Sequence, residues 1–104
     1  MDDCVFCKIA GKEKEADLVF EDDRFVVFKD IKPSAKIHLL IVPKKHINSV
    51  AHLEDADAVL AGQMILVARD TAKKLGLSGY KLLFNVGRDG GQIVDHIHMH
   101  LLAN

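Results

Sequence analysis

The stretch HIHMHLL, His96 to Leu102, alternates histidine with an apolar residue three times. A period of two is the signature of a strand, because successive side chains point to opposite faces. His96, His98, His100 and Leu102 then share one face. Ile97, Met99 and Leu101 share the other and are expected to enter the core. A solvated strand face is more commonly built from Lys, Thr or Glu, so three histidines in five positions read as a chemical site. They cannot all hold one metal ion. Strand rise separates His96 from His100 by about 13 Å, whereas a zinc–nitrogen bond spans about 2.0–2.1 Å. At least one histidine is left for other work. A histidine whose tautomer is held at one ring nitrogen exposes the other as a nucleophile or base.

The rest of the chain supplies partners for this strand. LVFEDDRFVVFKD predicts a hairpin, with strands Leu18–Glu21 and Phe25–Lys29 around a turn at residues 22–24. IHLLIV, Ile37–Val42, is an apolar run ended by Pro43 and reads as a central strand buried on both faces. A long helix follows, with Asp55 as its expected N-cap and Gly76 as its stop. Leu60, Met64, Val67, Ala68 and Leu75 recur along its core face. YKLLFNV, Tyr80–Val86, is a further strand, and the last runs from about Val94 to Leu102. Residues Val5–Ala10 suit a short helical turn ended by Gly11. The order predicts an α+β domain, mostly antiparallel sheet with one long helix.

With 104 residues, one domain over 1–104 is the default. A net charge of −1 provides no basic field for a nucleic acid. No apolar run is long enough to span a bilayer, and MDDCVFCKIAGKEKEA lacks a signal-peptide core, so no membrane partner and a cytoplasmic location are expected.

Three further features bear on chemistry. Asp89-Gly90-Gly91-Gln92 is a glycine loop just before the histidine strand, and its backbone N–H groups can approach an anion. Asn85 can add an amide donor there. Asp30 is either a turn residue or a carboxylate for a ribose diol. Cys4 and Cys7 are the only cysteines. Cys-x-x-Cys fits a redox pair or half of a Cys2His2 metal site. His38, His46, His52 and the terminal cluster are the candidate partners.

Taken together, HIHMHLL, the preceding DGGQ, FNVGRDGG, IVPKKH, DRFVVFKDIKP and DCVFCKIAGK resemble the histidine triad (HIT) family. The likeness is to its branch of nucleotide-binding phosphoramidate hydrolases, and to the Cys-x-x-Cys version seen in bacterial members. It runs over essentially the whole chain. The resemblance implies a five-stranded antiparallel sheet, a short N-terminal helix and a homodimer. It implies cleavage of purine nucleoside 5′-phosphoramidates, or acyl and aminoacyl adenylates, through a covalent nucleotidyl-histidine, with no metal needed for the chemistry. Alternatives of the same descent are dinucleoside polyphosphate hydrolysis, or nucleotide binding with little catalysis.

By position, the resemblance makes His98 the nucleophile, His100 a partner of the phosphate or leaving group, and His38 a support for the cluster. Asp30 would bind the ribose hydroxyls, with Ile31 against the base. Val5, Phe6, Ile9 and Phe28 would form the purine slot. Asn85 and the backbone around Gly91, Gln92 and Ile93 would line the phosphate side. Cys4, Cys7, His46 and His96 would hold a structural zinc. Two positions depart from the family pattern. Ile93 stands where a hydroxyl is frequent. Asp95 stands where an aromatic residue is common; the reading preferred is a solvated carboxylate, the alternative one that selects a basic leaving group.

Overall fold

The structure is a computed structural model that describes residues 4–104. Its elements are α1 (Val5–Ala10), β1 (Leu18–Glu21), β2 (Phe25–Lys29), β3 (Ile37–Pro43), α2 (Ala58–Lys74), β4 (Lys81–Leu83) and β5 (Met99–Ala103). The strands form one antiparallel sheet in the order β1-β2-β3-β5-β4. The expected hairpin is present. Asp22 Oδ1 accepts the N–H groups of Arg24 (2.8 Å) and Phe25 (2.7 Å), which closes the turn. β3 lies at the centre and is buried from His38 to Pro43.

Alternation within the strands sorts side chains into two layers. Phe25 and Val27, Leu39 and Ile41, and Met99 and Leu101 pack with Met64, Ala68 and Ala72 of α2. Val26 and Phe28, and Leu40 and Val42, face the other way and pack with Phe6 and Ile9 of α1. His98 and His100 alternate with Met99 and Leu101 and so fall on the α1 side. The sheet thus has an aliphatic face under the long helix and a second face on which a short helix and the histidines meet.

Three boundaries differ from expectation. β5 begins at Met99 rather than near Val94. Ile41 pairs with Met99, so a longer ladder would place Pro43 opposite Ile97. Pro43 has no N–H to give, and its carbonyl accepts His96 Nε2 at 2.8 Å. The chain before Met99 leaves the sheet instead, with Ile97 N–H on the Ile47 carbonyl. β4 is also shorter than expected: it pairs only with β5, whose first residue Met99 lies just one register step beyond His100 opposite Leu83. At the start of α2, Asp55 is not the cap. Asp55–Asp57 is a 3-10 turn closed by a reciprocal box, in which Glu54 N–H donates to Asp57 Oδ2 at 2.9 Å. At the other end Gly76, at φ 71°, completes a Schellman turn with Leu77 N–H on the Ala72 carbonyl. Leu75 is exposed there, and Ala72 takes the core position expected of it.

Asp57 is buried and accepts Lys45 Nζ at 2.7 Å. The Lys45 ammonium first, and the Glu54 N–H second, hold its pKa below the ordinary carboxylate value. A lowered folded pKa means stability that is full at neutral pH and is lost as pH falls through that lowered value. Asp57→Asn is expected to lower Tm at pH 7. The gap to wild type should close on acidification below about pH 3.9. Thermal melts of both proteins across pH test this, and a gap that stays constant would refute it.

Candidate functional site

Two groups of side chains meet on the α1 face of the sheet. The first comprises Cys4, Cys7, His46 and His96, whose ligand atoms lie within 4.8 Å of one another. Cys4 caps α1 by accepting the Cys7 N–H at 3.3 Å, which holds both sulfurs on one side of the helix start. Both histidines turn Nδ1 toward the sulfurs. Cys4 Sγ is 3.3 Å and Cys7 Sγ 3.5 Å from His96 Nδ1, and Cys7 Sγ is 3.2 Å from His46 Nδ1. The outer nitrogens are engaged as donors, His96 Nε2–H to the Pro43 carbonyl and His46 Nε2–H to Asn48 Oδ1, each at 2.8 Å. Neutral imidazoles bound this way present Nδ1 lone pairs to the centre, the arrangement that orients histidine metal ligands.

The spacing fits a tetrahedral ion. Bonds of about 2.3 Å to sulfur and about 2.0–2.1 Å to nitrogen put sulfur and nitrogen about 3.5 Å apart. Protonation chemistry agrees. Burial first, and then the neighbouring Cys4, push the Cys7 thiol up to about 11. Two adjacent thiolates therefore call for a cation between them. His96 is fully buried, and burial lowers its pKa to about 4, so it stays neutral as a ligand must. These four residues can hold a metal ion.

The second group is His38, His98 and His100, of which His38 and His100 form a relay. Ser34 N–H donates to His38 Nδ1 at 3.0 Å. The proton of neutral His38 is therefore on Nε2, which donates to His100 Nδ1 at 2.8 Å. That leaves the His100 proton on Nε2. This atom is the one buried side-chain polar atom without a partner among the described residues. His98 has the opposite tautomer: Nδ1–H donates to the His96 carbonyl at 2.7 Å, so Nε2 carries a lone pair. Burial lowers the pKa of His98 and takes that of His100 to about 4, so both are neutral near pH 7. Asp30 Oδ2 lies 3.4 Å from His38 Nε2, and Oδ1 accepts the Lys32 N–H at 2.9 Å. Asp30, His38 and His100 are close enough to suggest a metal set. The proton on His38 Nε2 instead bonds it to His100, with Asp30 alongside.

A cleft of about 340 Å³ opens onto this relay. Val5, Phe6, Ile9, Phe28 and Leu40 line its apolar part, and Asp30, Asn85, His98 and His100 its polar part. Phe6 stands edge-on to His98, with ring centroids 5.0 Å apart, and to Phe28 at 5.5 Å. Ile31 and Ile93 flank the opening and are 92% and 84% exposed. Gly91 also lines it, at φ 87° and close under the Asn85 amide, where a Cβ would meet Nδ2 at 3.4 Å.

The structure thus brings His38, His98, His100, Asp30, Ile31, Asn85, Gly91, Ile93, Val5, Phe6, Ile9 and Phe28 to one place. Gln92 does not line the cleft with its side chain. Its side chain is buried, accepting the Gly87 N–H at 2.9 Å and donating to the carbonyls of Asn48 (2.7 Å) and Val94 (2.8 Å). Asp95 is exposed, as expected, and its carboxylate is ion-paired. Both its oxygens meet the Arg88 guanidinium, at 2.8 and 2.9 Å. Sequence reasoning missed Ser34, Pro43 and Asn48, which orient His38, His96 and His46. Two of these act through backbone atoms, which carry no residue signature. Lys14 and Lys32 at the rim were missed as well.

Comparison with known proteins agrees with this geometry. A family model described as scavenger mRNA decapping enzyme C-term binding matches residues 3–104. Protein HitA of Neisseria gonorrhoeae is 48% identical over 104 residues, covering 99% of this chain and 97% of that one. A HIT family hydrolase from Legionella pneumophila superposes with TM-score 0.96 at 48% identity, covering 98% and 93% of the two chains. A histidine triad protein from Clostridium difficile gives 0.97 at 40% identity, covering 100% and 92%. A histidine triad nucleotide-binding protein from Candida albicans gives 0.85 at 34% identity, covering 94% and 72%. With the relay, the antiparallel sheet and these relatives in agreement, the chain belongs to the histidine triad (HIT) family.

Proposed function

We propose that this protein is a purine nucleotide-binding hydrolase that cleaves nucleoside 5′-phosphoramidates, or acyl and aminoacyl adenylates, through a nucleotidyl-histidine. The observation that carries the reading is the pairing of opposite tautomers in one cleft. His98 offers a lone pair at Nε2, and His100 offers an unpartnered Nε2–H. An α-phosphate between them meets a nucleophile and a hydrogen-bond donor at once. His98 Nε2 attacks phosphorus and the P–N bond to the amine breaks, while the His100 Nε2–H hydrogen-bonds the phosphate oxygen and the departing amine takes its proton from water. Water then attacks the phosphorus on His98 and releases the nucleoside monophosphate. The relay from Ser34 keeps His100 a donor throughout.

The remaining cleft residues take their roles from this pose. Phe6, Phe28, Ile9 and Val5 enclose the purine, with Ile31 over it. Asp30 holds the ribose hydroxyls. Asn85, Gly91 and Ile93 line the phosphate and leaving-group side, with Gln92 bracing that loop. Zinc is the metal we assign to Cys4, Cys7, His46 and His96, because two thiolates and two imidazoles in a closed tetrahedral set select it. When bound, it supplies structural cross-linking, and no chemical step needs it. A reduced cysteine pair of this kind suits the cytoplasm. One HIT domain over residues 1–104 carries these functions. A homodimer is supported by the unpaired edge of β4 and by Val59, Ile65 and Leu66, all exposed on α2.

Turnover of an adenosine 5′-phosphoramidate, compared with diadenosine tri- and tetraphosphate, tests the reaction class. The phosphoramidate is expected to have the higher kcat/KM by at least about tenfold, and intact-mass spectra should show a transient nucleotidyl adduct. A preference for the dinucleotides would transfer the chain to polyphosphate hydrolysis. Stoichiometric AMP binding without any product would make it a binding module.

A further inference from the structure

The four candidate metal ligands each connect to a wall of the cleft. Cys4 and Cys7 bracket the start of α1, and the same turn of helix sends Val5 and Phe6 into the cleft. The His96 carbonyl accepts His98 Nδ1–H at 2.7 Å, so the backbone of a metal ligand sets the tautomer of the nucleophile. His46 reaches the third wall in two steps. Its Nε2–H donates to Asn48 Oδ1 (2.8 Å), and the Asn48 carbonyl accepts Gln92 Nε2 at 2.7 Å. Gln92 in turn ties Gly87 to Val94 and so holds the loop that presents Gly91 and Ile93. Between the metal-facing atoms of the ligands the contacts are sulfur–nitrogen pairs of 3.2–3.5 Å. A metal ion would replace those weak contacts with four strong bonds and fix all three walls at once.

We propose that metal at the Cys4–Cys7–His46–His96 centre positions the nucleotide cleft, so that metal and nucleotide bind cooperatively, with Asn48 the positioning residue that carries the coupling to residues 87–94. This rests on the reading of the cleft as a purine nucleotide site. The centre is then more than a staple for the fold. Coupling of this kind is reciprocal: metal must raise nucleotide affinity by the same factor by which nucleotide raises metal affinity.

The test measures both halves of that equality, with Zn²⁺ and AMP as probes. Zn²⁺ affinity is obtained by competition with a chromogenic chelator, with and without saturating AMP. AMP affinity is obtained by calorimetry on zinc-loaded and zinc-free protein. Both are expected to shift by one common factor of about tenfold or more. Asn48→Leu should keep one zinc per chain yet bind AMP several-fold more weakly, and Asn48→Asp, which keeps the acceptor for His46 Nε2–H, should restore affinity. If the zinc-free chain unfolds, the comparison of the folded, zinc-loaded Asn48→Leu and Asn48→Asp proteins decides the matter. AMP affinity that ignores zinc, or Asn48→Leu binding AMP as wild type does, overturns the inference and leaves the nucleotide reading intact. Failure of zinc-loaded wild type to bind either AMP or GMP overturns the nucleotide reading, and the inference with it.

Discussion

Replacing His98 by alanine is expected to lower kcat by roughly 10⁴-fold or more while leaving AMP affinity within about threefold of wild type. The size of the loss follows from what is removed. His98 Nε2 is the one ring nitrogen of the cleft whose lone pair is held free by a donor at the opposite position. No neighbour can take its place, because His100 is kept in the donor tautomer by His38, and His38 is kept so by the Ser34 N–H. Binding should survive, because the apolar slot of Phe6, Phe28 and Ile9 and the carboxylate of Asp30 remain. Steady-state kinetics and AMP calorimetry on the same preparation separate the two effects. A His98→Ala enzyme with the wild-type rate would end the nucleophile assignment. His100→Ala should lose less, on the order of 10²-fold, because one hydrogen-bond donor to the developing phosphate charge contributes less than the nucleophile itself.

The second large effect concerns metal. Protein purified without added zinc is expected to contain one zinc per chain, and stripping it should lower Tm by roughly 10–30 °C. That range follows from the stability a ligand confers at 100 to 1,000 times its dissociation constant, about 2.7–4.1 kcal/mol. In a domain of this size each kcal/mol moves Tm by about 4–8 °C. Cys4→Ser should show the same loss without chelation, because hydroxyl is a poor substitute for thiolate and the Cys7 pair is broken. Elemental analysis and thermal melts together give the answer. A Cys4→Ser protein that keeps both its zinc and its Tm would remove Cys4 from the ligand set.

Much of the site was legible before any coordinates. The alternation in HIHMHLL put Ile97, Met99 and Leu101 into the aliphatic core and the histidines on the opposite face, and the fold obeys it. The span argument, that His96 and His100 are too far apart to share an ion, also holds: His96 joins the cysteines, and His100 joins His38. The family resemblance then named the cleft residues, and nearly all of them line one cavity.

Strand ends were the weakest part of the sequence reading. Val94 to His98 has the composition of a strand but does not pair, because Pro43 withholds a donor and spends its carbonyl on His96. Asp55 looked like a cap, yet the Glu54–Asp57 box took that role two residues on. Asp95 is exposed as a solvated carboxylate is, yet Arg88, seven residues away, meets it with both nitrogens. In each case the deciding partner lies outside the local pattern.

The division has a physical basis. Residue type and spacing by themselves determined which face each side chain takes and which residues have the chemistry of a site, and the resemblance to the histidine triad family then implied which of them is nucleophile, donor or ligand. Only the tertiary structure decided what state those groups are in. A histidine has two ring nitrogens, and which one bears the proton depends on the partner at the other. Those partners are the Ser34 N–H and the carbonyls of Pro43 and His96, together with the Asn48 amide. Three of the four are backbone atoms, identical in every residue, and it is the folded path of the chain that brings them to the rings.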